Sequence, residues 1–480
     1  MTNPIIYWFR QDLRTRDLPG LIAAAATGRP LLACYILDDI SPGDARPGGA
    51  SRWWLHHSLQ SLSAELSALG GRLLLRSGAA GDVLDRLLRE TGATDIFCSR
   101  VYEPWATHLE QSLHDKLAPR GVTFRRFAGS LLFDPDRVKN QSGAPFKVFT
   151  PFWRHCRAGQ LPAAPRPRPA NIQWYPASPD TEDLADWSLL PTQPNWASQW
   201  PQLWRPGAEG AHDRLRAFLA GPVSDYNDGR NHPARDATSR LSAHLHFGEI
   251  SPRAVWQAAC QHAHKQPASA SQIDKFLSEL GWREFSHHLL YHFPALCSEP
   301  FRGEFSRFPW LGNAAALRAW QQGRTGYPIV DAGMRELWST GYMHNRVRMV
   351  AASFLTKHLL IHWRAGARWF HDTLVDADLA NNTCGWQWVA GSGADASPYF
   401  RIFNPVIQGE KFDADGAYIR QWLPELAQLP NRFLNKPWQA PVEALLAAGV
   451  RLGENYPPPV VDHGAARESA LAAYAQIRMH

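Results

Sequence analysis

The sequence predicts an α/β domain built on a parallel, Rossmann-like sheet, then an all-helical domain, with a long connector between them. Three observations carry this. Over the first 130 residues short apolar or β-branched runs alternate with amphipathic segments, the βαβ pattern of a sheet covered on both faces. Between about Gly129 and Gly207 that alternation stops. From Ala211 onward nearly every segment places apolar residues at three-to-four spacing. At 480 residues the chain exceeds one typical core. The division expected is 1–130, 131–207 and 208–480.

In chain order, strands are predicted at Ile5–Phe9, Pro30–Leu37, Arg72–Arg76, Asp95–Ser99 and Thr123–Phe127. Helices fall between them near Leu18–Thr27, Ser51–Leu69, Ala80–Glu90 and Trp105–Ala118. No GxGxxG follows the first strand, so a standard dinucleotide site is not indicated there. In the connector Pro162, Pro165, Pro167, Pro169, Pro176 and Pro179 oppose sustained helix, and LPAAPRPRPA reads as extended chain. The helical half contains HDRLRAFLA, SPRAVWQAACQHA, SQIDKFLSELGWREFSHHLLYH, AAALRAWQQG, VDAGMRELWSTG and NRVRMVAASFLTKHLLIHW, each read as one helix. No internal repeat is evident.

Composition excludes several classes. Hydrophobic residues at 45% and charged residues at 20% describe a globular chain, and no run of eighteen uncharged apolar residues offers a membrane span. The N-terminus has no secretory signal pattern, so the expected location is the cytoplasm. The six cysteines show no CxxC or paired His spacing, so no metal is expected and they read as reduced thiols. A net charge of +6 is compatible with nucleic acid without requiring it. Tryptophan is the outlier at 21 residues.

The richest stretch is Asp376–Pro405, DADLANNTCGWQWVAGSGADASPYFRIFNP. Tryptophans among amides, acids and glycines suit a large flat polar ligand or nucleic acid, and a Gly-rich structural loop is the alternative. Two helical faces stand beside it. Glu279, Trp282 and Arg283 occur at i, i+3 and i+4, as do Asn345, Arg348 and Met349, while Arg346 points elsewhere. Either face alone reads as well as an ion-paired surface. Thr238, Ser239 and Ser242 place hydroxyls at an apparent helix N-terminus, an anion site or a simple cap, with Tyr226 and Arg230 upstream.

Several ordered motifs together resemble the DNA photolyase and cryptochrome family over nearly the whole chain. They are WFRQDLRTRD, KVFTPFWR (Lys147–Arg154), ATSRLSAHLHFGEISP, ELGWREF, TGYPIVDAGMRELWSTGYMHNRVRM, the Asp376–Pro405 stretch and QGEKFDADGAYIRQWLPEL. The likeness is to a bacterial cyclobutane pyrimidine dimer photolyase, of class I or the related class III. It implies FAD in the helical domain, with Tyr226, Thr238, Ser239, Leu241 and Ser242 at the phosphates and ribose. Arg283, Asn345, Arg348, Asp376, Asp378 and Asn382 would line the flavin. Asn382 would lie at flavin N5; plant cryptochromes carry an acid there, so asparagine points toward repair.

The substrate implied is a pyrimidine dimer in UV-damaged DNA, flipped into a pocket beside the flavin and split by a light-driven electron from reduced FAD. Trp282 and Trp388 would wall that pocket, Glu279 would bond the damaged bases, and Asn345 with Met349 would form the floor. Arg230, Arg346 and Arg401 would hold flanking phosphates. Trp386, Trp363 and Trp310 match the family's electron relay, although core packing is what each would suggest alone. Photolyases of the 6-4 photoproduct carry histidine where HNRVRM has Asn345 and Met349, and a signalling cryptochrome usually carries a longer C-terminal tail. Both are rival readings, as is a basic nucleic-acid binder without catalysis. SRWWLHHSL with RVYEPWA resembles a bacterial subgroup related to plant cryptochromes, and that resemblance implies methenyltetrahydrofolate as a second, antenna chromophore, with a deazaflavin as the alternative. A monomer is expected. Trp386 and Trp388, one residue apart on extended backbone, would face opposite sides.

Overall fold

The structure, a computed structural model, describes residues 2–159, 161–177, 179–396 and 400–478. Ser397, Pro398 and Tyr399 of the Asp376–Pro405 stretch lie outside the described residues. The chain divides into two compact units, one of 1–224, 239–294 and 375–380, the other of 225–238, 295–374 and 381–480.

The first unit is built on five strands: β1 (Ile5–Phe9), β2 (Leu31–Leu37), β3 (Leu73–Ser77), β4 (Asp95–Ser99) and β5 (Thr123–Phe127). They pair in the order β3-β2-β1-β4-β5, every pair parallel. Central β1, IIYWF, is buried along its whole length, whereas edge strand β5, TFRRF, leaves Arg125 and Arg126 exposed. A strand covered on both faces needs an unbroken apolar run, and an edge strand does not. The crossovers are α1 (Pro19–Ala26), α2 (Gly49–Ala68), α3 (Ala80–Thr91) and α4 (Pro104–Leu117). Helix α3 buries Val83, Leu84, Leu87 and Leu88 in the core that Ile6, Trp8, Cys34 and Ile96 supply from the sheet.

The connector holds one sustained helix, α5 (Phe149–Ala158), where none was expected. The prolines that argued against helix cluster from Pro162 onward, beyond it, and α5 is amphipathic, burying Phe149, Phe152 and Cys156. Arg166 of the proline-rich run exchanges two backbone-anchored bonds with Asp17, its carbonyl accepting from the Asp17 N–H at 2.9 Å and its N–H donating to Oδ1 at 3.0 Å. The unit also contains the long helix Ala270–His292.

The second unit is helical among its described residues. NRVRMVAASFLTKHLLIHW is not one helix. It runs as α-helix from Asn345 to Ser353, becomes a π-turn over Phe354–His358, and restarts at Trp363. Thr356 Oγ1 donates to the Ala352 carbonyl at 2.8 Å, a bond back along the helix that loosens its ladder. Leu360 then takes a φ of 49°, and His362 caps the next helix by accepting from the Arg364 N–H. Apolar spacing persists through the break because Phe354, Leu355, Leu359 and Ile361 are all buried, so periodicity could not reveal it. The other correction falls on the richest stretch: Leu379–Ala390 is an α-helix, not a loop or extended chain. Two positions on a helix turn the side chain by about 200°, so Trp386 and Trp388 still diverge.

Candidate active site

In the first unit one face of the Ala270–His292 helix gathers Glu279, Trp282, Arg283 and His287. Glu279 takes the Lys275 ammonium at 3.0 Å, one turn away. Trp282 lies against the Phe149 ring, centroids 3.8 Å apart. Arg283 donates to the Ser130 carbonyl at 3.0 Å and stands 3.1 Å from buried Glu284. Burial pushes the Glu284 carboxyl up, against the opposing pull of Arg283 and of the Leu132 and Phe133 N–H groups.

Asp376 and Asp378 are both buried, at 9% and 6% exposure. Asp378 Oδ2 lies 3.3 Å from His246 Nδ1 and 3.4 Å from His287 Nε2. Burial alone would raise this carboxyl, but the two imidazoles overcome it and hold it well below the usual range. Sequence reasoning missed both histidines. A signal existed for His287, which is four residues beyond Arg283 on the same face, and for His246 within AHLHF.

The hydroxyl cluster is less regular than expected. Only Ser242 belongs to a helix, the five-residue Ser242–His246, with Leu241 at its cap position and no side-chain capping bond. Arg240 has a φ of 50°, and Ser239 Oγ accepts from the Leu241 N–H at 3.4 Å.

In the second unit Asn382 donates Nδ2–H to the Ala367 carbonyl at 2.9 Å, which orients the amide and leaves Oδ1 and one N–H for another partner. Trp386 is buried, 5.0 Å from Phe370 and 6.0 Å from Trp320 between ring centroids. It fits only because Gly366 has no side chain, since a Cβ there would lie 2.1 Å from the indole. Trp388 turns away, donating Nε1–H to the Asp395 carbonyl at 3.1 Å with the Arg401 guanidinium 6.0 Å from its ring. The His362 ring stands 5.6 Å from Trp363 and 5.1 Å from half-buried Trp310.

Arg346 donates to Asn231 Oδ1 at 2.5 Å and covers the Phe412 ring at 4.4 Å. Burial and the nearby charge of Arg230 both lower its pKa, and Arg230 itself lies 5.5 Å over Tyr226. Two guanidiniums whose charges bear on one another suit an anion. Asn345 opens the Asn345–Ser353 helix, exposed, after the His344 cap. Met349 is half-buried on it, and Arg348 donates Nε–H to the Met343 carbonyl at 2.7 Å.

The fit to a flavin nucleotide can be judged from the donors. Among the described residues His287, 6% exposed, has no partner at Nδ1, and Trp386 has none at Nε1. Each is a polar group of the kind a polar ligand satisfies, His287 in the first unit and Trp386 with the Asn382 amide in the second. The described residues contain no cluster of three or more His, Cys, Asp or Glu able to hold a metal, and no helix long and apolar enough to cross a membrane.

The chain has an α/β part and a helical part, and the match of the helical part to an FAD-binding domain makes it a flavoprotein. Family models match at residues 5–170 for DNA photolyase and 276–476 for the FAD binding domain of DNA photolyase. Over 477 residues the chain is 50% identical to the deoxyribodipyrimidine photo-lyase of Agrobacterium fabrum, covering 99% of this chain and 98% of that one. It is 38% identical to cryptochrome-2 of Arabidopsis thaliana, covering all of this chain and 80% of the plant protein. The crystal structure of a bacterial class III photolyase from Agrobacterium tumefaciens superposes with a TM-score of 0.96 at 50% identity, covering 100% of this chain and 98% of that one. The chain belongs to the DNA photolyase and cryptochrome family.

Proposed function

We propose that this protein is a deoxyribodipyrimidine photo-lyase that splits cyclobutane pyrimidine dimers in UV-damaged DNA, with FAD as its cofactor. The observation that carries this is 50% identity to the Agrobacterium photo-lyase across 99% of the chain, against 38% to the plant cryptochrome. When bound and reduced, the flavin supplies the light-excited electron that opens the cyclobutane ring.

The chain's own residues would do the rest. Trp282 and Trp388 wall the dimer, Glu279 accepts a hydrogen bond from it, and Asn345 and Met349 lie beneath. Asn382 offers a neutral amide that holds a hydrogen bond without releasing a proton. Tyr226, Thr238, Ser239, Leu241 and Ser242 hold the dinucleotide's phosphates and ribose, and Arg283, Arg348, Asp376 and Asp378 line its ring. Arg230, Arg346 and Arg401 neutralise DNA phosphates, supported by the positive charge of Arg230 bearing on that of Arg346. Trp386, Trp363 and Trp310 carry electrons to the flavin from solvent, supported by the imidazole of His362 lying near both outer indoles. Residues 1–130 form the antenna part, 131–207 the connector and 208–480 the catalytic part of a cytoplasmic monomer.

The antenna is a methenyltetrahydrofolate, with a deazaflavin as the alternative. An absorption spectrum of the purified protein decides between a near-ultraviolet folate band and a longer-wavelength deazaflavin band. Repair is tested by blue-light irradiation of the reduced, FAD-loaded protein with a dimer-bearing oligonucleotide. Loss of dimers only in the light is expected; protein that holds FAD and leaves dimers intact would sink the proposal.

A further inference from the structure

The KVFTPFWR segment carries part of the family resemblance, yet none of the roles above falls on it. In the structure it opens α5, which packs on the Ala270–His292 helix. Two adjacent positions fit these helices together. Gly281 presents bare backbone to Trp153, where a Cβ would come within 2.6 Å of the indole, so this approach requires glycine. One residue on, Trp282 lies flat on Phe149, with planes 10° from parallel and centroids 3.8 Å apart. Phe285 stands edge-on to both rings, 5.9 Å from Phe149 and 6.0 Å from Trp282, at 68° and 75°. Phe149 is itself buried, at 9% exposure. One face of Trp282 is therefore taken by a buried ring, so a ligand that stacks on this indole does so from the opposite face.

We infer that Phe149 is a positioning residue for lesion recognition, setting the plane of Trp282 so that its second face is ready to stack on a damaged base. This rests on the assignment of Trp282 as a wall of the dimer pocket. An indole already held by stacking loses little further freedom when a base lands on it, which lowers the cost of binding. An aliphatic side chain at 149 fills the space without fixing the plane.

The experiment titrates full-length FAD-loaded protein with an oligonucleotide carrying one thymine dimer and with its undamaged counterpart. The variants are F149L, F149M, F149Y, W282A and F149L/W282A, with flavin content and thermal midpoint establishing that each is folded. F149L should weaken binding of the dimer about three- to tenfold, the span that an aromatic pair supplies. Affinity for undamaged DNA and the repair yield per flash of bound dimer should not change. F149Y should restore wild-type binding, and F149L/W282A should bind no more weakly than W282A. If F149L does not fold, F149M is read in its place. Wild-type binding by F149L or F149M beside a weakened W282A overturns the role of Phe149 alone, as does an F149L effect of equal size in the W282A background. Wild-type binding by W282A overturns the assignment of Trp282 and this inference together.

Discussion

Asp378 shows how a single residue reports its surroundings. Its carboxyl is buried yet held well below the usual range by His246 and His287. A depressed folded-state pKa adds stability that is complete above the ordinary aspartate value and is lost as pH falls through the folded one. D378N should therefore be less stable than wild type at neutral pH, and the gap should close as pH falls below about 4. Urea midpoints between pH 3 and 7 check this, and a gap that widens in acid would contradict it. Asn382 allows a second test. Its amide donates to the Ala367 carbonyl, so N382D sets a carboxylate against that oxygen. A loss of about 1–3 kcal/mol in FAD-free protein is expected, from a lost bond and an unmet acceptor.

Among elements, α5 and the broken Asn345–Thr373 segment matter most. G281A should push Trp153 off the Ala270–His292 helix, costing about 1–3 kcal/mol by overpacking, read as a lowered denaturant midpoint. The π-turn carries Lys357, which is 1% exposed, with Nζ lacking a hydrogen-bond partner among the described residues and set 3.3 Å over the Phe400 ring. Burial lowers its pKa to about 7. A lysine whose folded pKa is depressed costs stability wherever the unfolded chain is protonated and the folded one resists it. K357M should therefore stabilise most below pH 7, with the advantage over wild type shrinking as pH rises toward about 10. Thermal midpoints across that range decide it. Neither element was legible beforehand. Helix α5 stands beside a proline run that dominates its neighbourhood, and the π-turn lies in a segment whose burial keeps helical spacing across a backbone break.

At the scale of the whole molecule, DNA binding and electron supply are the properties to measure. R346A should weaken binding of any DNA and lower the slope of log K against log salt by about 0.9, the share of one phosphate. An unchanged slope would remove Arg346 from the phosphate contacts. W310F should slow photoreduction of bound flavin, seen by transient absorption, while leaving repair by chemically reduced enzyme intact. The β-sheet, its five strands and the helices between them were legible almost to the residue, because buried parallel strands require apolar runs and amphipathic crossovers require a period. Much of the site was legible only through motif likeness. A lone Trp386 or Trp363 carries no mark that separates relay from core, and both are indeed buried like core residues.

The sequence alone determined the order of elements, the alternation that makes the sheet parallel, and which residue types gather in Asp376–Pro405, since each follows from local chemistry and spacing. It also determined that Trp386 and Trp388 diverge, although by a different backbone from the one inferred. Only the tertiary structure decided that His246 and His287 hold Asp378, that Phe149 lies under Trp282, and that Gly366 opens a place for Trp386. Each of those joins residues far apart in the chain, and periodicity carries no information about which distant side chain will fill a given face.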